Sequence, residues 1–157
     1  MTTELHATIT GGPYAAAAAR RALGGLATLV DRHRLDDISL LVSELVTNGV
    51  RHGGAGEGDV LELTVLRNGS RLRVVVTDAG PGFEGRARPR ERADEAGGWG
   101  LFLVERLADR WGVERDGAAT AVWFELGIDV GAPVPHGGAA SRPERAPFRS
   151  LRAIAFS

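Results

Sequence analysis

Nine residues in the first half of the chain carry its strongest structural signal: Glu44-Leu45-Val46-Thr47-Asn48-Gly49-Val50-Arg51-His52. Glu44, Asn48 and His52 recur every four residues, so on an α-helix they share one polar face. An apolar stripe runs beside this face and comprises Ile38, Leu41, Val42, Leu45, Val46 and Gly49. The polar face is therefore expected at the rim of the core, where it would form the wall of a pocket.

The residue types on this face suit phosphate chemistry. The side-chain oxygen of Asn48 is a hard ligand suited to Mg²⁺, which takes most of its other ligands from phosphate and water. The carboxylate of Glu44, one turn away, could accept a proton from an attacking hydroxyl. An ordinary solvated polar pair at i, i+4 is the alternative explanation of the same pattern.

A second cluster, Asp78-Ala79-Gly80-Pro81-Gly82-Phe83, follows directly after a strand-like run that contains three consecutive valines. An aspartate at a strand end can accept a hydrogen bond from an exocyclic amine such as that of adenine. Gly80 and Gly82 allow close approach of the backbone to a ligand, or positive φ angles. A plain turn is the alternative, because Asp, Gly and Pro form turns routinely.

A third cluster, Gly97-Gly98-Trp99-Gly100-Leu101, opens a predicted helix. Bare backbone N–H groups at the positive end of a helix dipole suit a phosphate. Glycines also end loops for conformational reasons alone, so this cluster is a weak signal by itself. In order along one chain, however, the three clusters predict a metal ligand, a base contact and a phosphate site in a single pocket.

Hydrophobic periodicity and turn residues predict the order of the secondary structure. The predicted elements are a strand Thr3–Thr10, a helix from Tyr14 to about Arg32, a helix capped by Asp36 or Asp37 and ending near His52, strands Val60–Leu66 and Leu72–Thr77 around an Asn68-Gly69 turn, a long loop 79–98, a helix from Leu101 to about Arg110, and strands Trp111–Arg115 and Thr120–Leu126. These elements form one predicted domain, residues 1–127. Residues 128–157 are rich in Pro, Gly, Ala and Arg and are predicted to be a flexible tail.

Composition excludes several classes of protein. All 19 basic residues are arginine, so the chain lacks the lysine that a P-loop or a eukaryotic-type protein kinase needs on its phosphates. It has no cysteine, which excludes disulfides and thiolate metal sites. The net charge of -1 gives no reason to expect nucleic acid. Without a signal-peptide pattern or an apolar run long enough for a bilayer, we expect a cytoplasmic protein with no membrane contact.

The three clusters resemble the N, G1 (D-x-G-x-G) and G2 boxes of the histidine-kinase/gyrase/heat-shock-chaperone ATPase superfamily over about residues 5–127. The resemblance implies an α+β Bergerat-type two-layer sandwich. Its mixed, mostly antiparallel sheet is covered on one face by about three helices, and a flexible lid closes over ATP. The pattern E-L-V-T-N-x-V-R-H-G resembles bacterial anti-sigma-factor serine/threonine kinases, which phosphorylate a serine of an anti-sigma-factor antagonist.

The resemblance implies a role for each matching residue. Glu44 would be the general base, Asn48 the Mg²⁺ ligand and Asp78 the adenine contact. The remaining nucleotide contacts would be Gly80 and Gly82 at the lid hinge, Gly98, Gly100 and Leu101 at the phosphates, and His52 and Thr120 as further candidates. The implied partners are a sigma factor and its antagonist. Homodimers are also common in the family, although no feature of this sequence predicts a dimer surface.

Two residues depart from the family pattern. Gly49 stands where the family usually has alanine, and a glycine in a helix interior is expected to loosen the segment that carries Glu44 and Asn48. In the last strand, Ala121 occupies the usual place of a supporting threonine, and Thr120 comes one residue early. Unless a bulge intervenes, this shift is expected to turn Thr120 away from the pocket.

Three functions remain open from the sequence. The first is an ATP-dependent anti-sigma-factor serine kinase, and the second is a module that binds ATP without transferring phosphate. The third is a detached catalytic domain of a histidine kinase. Fewer than 45 residues precede Glu44, too few for the phosphoacceptor domain that usually precedes this region in sensor kinases, and this favours the serine-kinase branch.

Overall fold

A computed structural model describes residues 1–52, 58–78, 98–116 and 119–128. Residues 79–97 of the predicted loop 79–98, which includes the lid, and residues 129–157 of the predicted tail 128–157 lie outside the described residues. The elements in chain order are β1 (Thr2–Thr10), α1 (Ala15–Ala22), a 3-10 helix (Leu23–Thr28), α2 (Arg32–His52), β2 (Val60–Asn68), β3 (Arg71–Asp78), α3 (Gly98–Leu107), β4 (Arg110–Asp116) and β5 (Ala119–Gly127). None of the helices in the described ranges is long and apolar enough to cross a bilayer.

The five strands form one sheet in the order β1-β2-β3-β5-β4. All four pairings among these described strands are antiparallel. The predicted α+β class is confirmed, and the expected mixed sheet is antiparallel throughout its described part. β3 is the central strand, with β2 on one side and β5 on the other, so the end of β3 is held from both sides.

The helices cover one face of the sheet. Alternate residues along β3 and β5 point to this face, and Leu72, Val74 and Phe124 are fully buried there. The core of the domain lies between these side chains and the apolar sides of α1, the 3-10 helix and α2. Ile128, which the sequence assigns to the tail, is part of this core and donates a backbone hydrogen bond to the Ser70 carbonyl.

The other face of the sheet carries a polar network around Trp123. The Arg73 guanidinium lies 4.3 Å from the centre of the Trp123 ring. The Glu125 carboxylate accepts hydrogen bonds from Arg73 at 2.6 and 2.8 Å and is 3.8 and 3.7 Å from Arg71 and Arg110. These contacts link β3, β5 and β4 on the face opposite the helices.

The first helical region departs from prediction in two ways. The expected continuous helix from Tyr14 to about Arg32 is interrupted by the 3-10 segment, which contains Gly24 and Gly25, because glycine disfavours the α-helix. The cap of α2 is not Asp36 or Asp37. Asp31 accepts a hydrogen bond from the Arg34 N–H at 2.9 Å, so α2 begins a full turn earlier than expected.

Two other boundaries also differ from prediction. α3 begins at Gly98, three residues before the predicted start, and ends at Leu107. The β2–β3 hairpin pairs Asn68 with Arg71, so its turn residues are Gly69 and Ser70, with Gly69 at φ 59°. A positive φ at this position is one that glycine adopts readily. The remaining strand bounds agree with prediction to within about two residues, the usual uncertainty of element ends.

The capping role of Asp31 is testable by substitution. We expect Asp31→Ala to lower the free energy of unfolding by about 0.5–2 kcal/mol, because the N–H of Arg34 loses its partner. Asp36→Ala is the matched control, since Asp36 is exposed, and its effect should stay within about 0.5 kcal/mol. Urea denaturation followed by circular dichroism measures both. Equal losses in the two variants would contradict the assignment of the cap.

Candidate functional site

The polar strip predicted on α2 lies at the edge of the core. Glu44 and Asn48 are half-buried, while their neighbours Leu45 and Val46 are 4% and 0% exposed. The apolar stripe therefore faces the sheet and holds the polar strip at the rim, as the sequence predicts. His52 is the last residue of α2, and its side chain lies outside the described part.

A hydrogen bond from α1 supports α2 next to Glu44. Arg20 donates to the Ser43 hydroxyl at 3.0 Å, and that hydroxyl donates to the Ser39 carbonyl at 2.7 Å. The contact links α1 to α2 at the residue before Glu44. Sequence reasoning missed this pair because its two residues are 23 positions apart and neither belongs to a motif.

Gly49 lies where α2 faces Leu61 of β2. A Cβ atom at this position would lie 3.1 Å from one Cδ of Leu61 and 3.6 Å from the other. Leu61 is 1% exposed and pairs with Asp78 on the neighbouring strand. The glycine that the sequence suggests as a loosening residue is thus a packing residue, one strand away from Asp78.

Asp78 and Thr120 lie side by side. They are direct partners in the β3–β5 register, which runs without a bulge from Arg71–Gly127 to Asp78–Thr120. Directly opposed residues of antiparallel strands point to the same face. Asp78 follows Leu72, Val74 and Val76 in alternation, so both side chains point to the helix-covered face, and both residues are half-buried.

This register corrects one expectation. The early position of Thr120 was expected to turn it away from the pocket unless a bulge intervened. No bulge is present in the β3–β5 ladder, yet Thr120 shares its face with Asp78, and Ala121 pairs with Thr77 instead. The threonine shift therefore leaves Asp78 with a hydroxyl-bearing neighbour.

The N-terminus of α3 carries the third predicted cluster. Gly98, Gly100 and Leu101 all belong to its first turns, and this first turn contains no acidic residue. A helix N-terminus presents unpaired N–H groups and a partial positive charge, which favour an anion. α3 also packs against α2, so its N-terminal turn belongs to the same two-helix layer as the polar strip. Gly80 and Gly82 lie outside the described residues.

Taken together, these elements form a two-layer α+β domain whose polar helix face, strand-end aspartate and glycine-rich helix start lie on one side of the sheet. A family model for the histidine kinase-like ATPase domain matches residues 10–126. The chain belongs to this family.

Characterised relatives are recognisable by sequence. The chain is 36% identical over 104 residues to the serine-protein kinase RsbW of Listeria monocytogenes, which covers 57% of this chain and 66% of that protein. It is 32% identical over 88 residues to the anti-sigma F factor of Clostridium acetobutylicum, covering 52% and 62%. The chain thus matches less than two thirds of the length of these relatives.

A solved structure shows the same fold. The RsbU and RsbW domains of a Mycobacterium tuberculosis protein match with a TM-score of 0.62 at 23% identity, covering 84% of this chain and 34% of that one. The similarity agrees with the sheet and helix layer described above.

The register at Asp78 can be tested by cross-linking, because the chain has no native cysteine. We expect Asp78→Cys combined with Thr120→Cys to form a disulfide under mild oxidation, since opposed Cβ atoms lie about 4.5–5.5 Å apart. The control, Asp78→Cys with Ala121→Cys, places the thiols on opposite faces and should stay reduced. Mass spectrometry of the oxidised proteins reads out both, and a disulfide in the control alone would overturn the register.

Proposed function

We propose that this protein binds ATP with Mg²⁺ and acts as an anti-sigma-factor serine/threonine kinase, phosphorylating a serine of an anti-sigma-factor antagonist. The observation that carries the proposal is the pairing of Asp78 with Thr120 on the helix-covered face, the face that α2 covers while Glu44 and Asn48 lie at its rim. The names of the relatives, a serine-protein kinase and an anti-sigma factor, support the same activity.

Asp78, at the end of β3, would bind the adenine base of ATP. A carboxylate can accept a hydrogen bond from the exocyclic amine of adenine, and the neighbouring hydroxyl of Thr120 can hold that carboxylate or a bridging water in place. The backbone N–H groups of Gly98, Gly100 and Leu101 would bind the phosphates, with His52 as a further contact. Gly80 and Gly82 complete the proposal as the hinge of a lid over the nucleotide.

Asn48 would hold the Mg²⁺ ion. Among the described residues no group of three His, Asp or Glu side chains is placed to hold a metal. A single amide oxygen fits Mg²⁺, which accepts one or two protein ligands beside phosphate and water. When bound, the ion would neutralise charge on the phosphates.

Glu44 would act as the general base. The serine hydroxyl oxygen of the antagonist attacks the γ-phosphorus of ATP, and the bond from that phosphorus to the β–γ bridging oxygen breaks. ADP leaves with the bond electrons, and the serine proton passes to the Glu44 carboxylate. The half-buried position of Glu44 keeps the carboxylate reachable from solvent and fixed by its helix.

The proposed partners are a sigma factor and its antagonist, which would compete for this protein according to nucleotide state and phosphorylation. The protein would then regulate transcription in the bacterial cytoplasm by holding a sigma factor back. A homodimer is compatible with this role.

Nucleotide binding is the first test. Titration calorimetry is expected to show ATP binding that strengthens when Mg²⁺ is present, and Asp78→Asn is expected to weaken it by about 1.5–3 kcal/mol through loss of a charged acceptor. Asp59→Asn is the matched control, because it removes a carboxylate from the residue that directly precedes β2. This variant should bind ATP as the wild type does. A folded wild type that binds no ATP would overturn the proposal.

Phosphotransfer is the second test. With a purified antagonist and labelled ATP, Glu44→Gln is expected to reduce transfer by about 10²–10⁴-fold, because the base is lost, while ATP affinity is retained. Transfer that persists in this variant contradicts the role of Glu44. Binding without transfer in the wild type would indicate a non-catalytic module, and an acid-labile phosphohistidine product would indicate a histidine-kinase domain.

A further inference from the structure

A side chain at position 49 would meet Leu61 at a distance shorter than ordinary van der Waals contact. A methyl group on Gly49 would lie 3.1 Å from a Leu61 Cδ atom, a distance at which the neighbour must give by a few tenths of an ångström. By contrast, a methyl group on Gly24 or Gly25 would meet nothing within 4 Å. Among these three helical glycines, Gly49 alone stands where a side chain would collide.

The side chain of Leu61 is closely surrounded and cannot easily move away from position 49. It is 1% exposed and lies on β2 between Ile9 of β1 and Asp78 of β3, its partners in the two ladders. Ile9 is itself 3% exposed. Because protein interiors are closely packed, a larger residue at position 49 would push the helix outward more readily than it would push Leu61 into the sheet.

Movement of the helix at this point would change the proposed site. Asn48 precedes Gly49 directly, and Glu44 lies on the same helix a little more than one turn away. Asp78 is fixed in the sheet beside Leu61. The distance between α2 and Leu61 therefore sets the distance between the polar strip of α2 and Asp78.

We infer that Gly49 is a positioning residue: the absence of its side chain seats α2 on Leu61 and sets the distance of Asn48 and Glu44 from Asp78. The inference rests on the proposed function, since it concerns the geometry of the same nucleotide site. It also reverses the expectation from helix propensity alone, which assigns this glycine only a loosening effect.

The first variant is Gly49→Ala, the smallest side chain that fills the gap. We expect it to weaken Mg²⁺-dependent ATP binding by about tenfold, because a misplacement of about 1 Å can cost about 10²-fold at a site that depends on positioning, and the shift here is smaller. Thermal unfolding without nucleotide should still show a folded variant, because the helix preference of alanine offsets part of the cost of overpacking. Gly25→Ala is the matched control, and its affinity for ATP should equal that of the wild type.

A second change separates positioning from general damage. Leu61→Val removes the Cδ atoms that the new methyl group meets, so adding it to Gly49→Ala should return ATP affinity toward the wild-type value. Leu61→Val alone opens a small cavity and should lower the unfolding temperature. A crystal structure of Gly49→Ala should show α2 displaced away from β2.

The possible outcomes are distinct. If the wild type binds ATP and Gly49→Ala binds it equally well, the positioning role is wrong and the proposed function stands. Weakened binding that Leu61→Val does not restore also overturns the steric explanation. If the folded wild type binds no ATP at all, the proposed function fails, and the positioning role fails with it.

Discussion

The burial of one side of α2 against the sheet is the interaction on which the rest of the structure depends. Ile38, Leu41 and Val42 are fully buried there together with Leu45 and Val46, and each such side chain contributes about 1.5–3 kcal/mol when it leaves water. This stripe fixes the rotation of α2, and the rotation places Glu44 and Asn48 at the rim. A helix of the same composition without the stripe would have no preferred face, so the candidate site exists because the core is packed this way.

The opposite face of the sheet stabilises the same strands by different means. Glu125 is 8% exposed, and a carboxylate that buried requires partners. It receives arginines from β3 and β4 while standing on β5, so it joins three strands through one side chain. Trp123 packs against Gly112 on the neighbouring strand, where a Cβ atom would lie 2.8 Å from the indole. Both features brace the β3–β5 ladder whose far end carries Asp78 and Thr120.

Local patterns in the sequence were enough to predict most of the architecture. The alternation along β2 and β3 and the four-residue spacing on α2 depend only on neighbouring residues, so the sheet, the helix and the polar strip were predictable. The cap at Asp31 was missed because three nearby aspartates are equivalent by composition, and only the structure shows which one meets an N–H. The pairing of Thr120 with Asp78 and the contact of Gly49 with Leu61 join distant parts of the chain. Both contacts depend on the strand register and on the distance between α2 and the sheet, and no local sequence pattern encodes either.

The connection from β3 to α3 has an evolutionary consequence. β3 ends at Asp78 and α3 begins at Gly98, while β3 is held in the sheet by β2 and β5. Asp78 is therefore held by strand pairing on both sides, and α3 by its packing against α2. In general, closing a loop between two fixed ends costs only about 0.6 kcal/mol more for each doubling of the loop length. The sheet and the helix layer therefore do not prescribe the number of residues between β3 and α3, and related proteins can differ in length there while the fold stays the same.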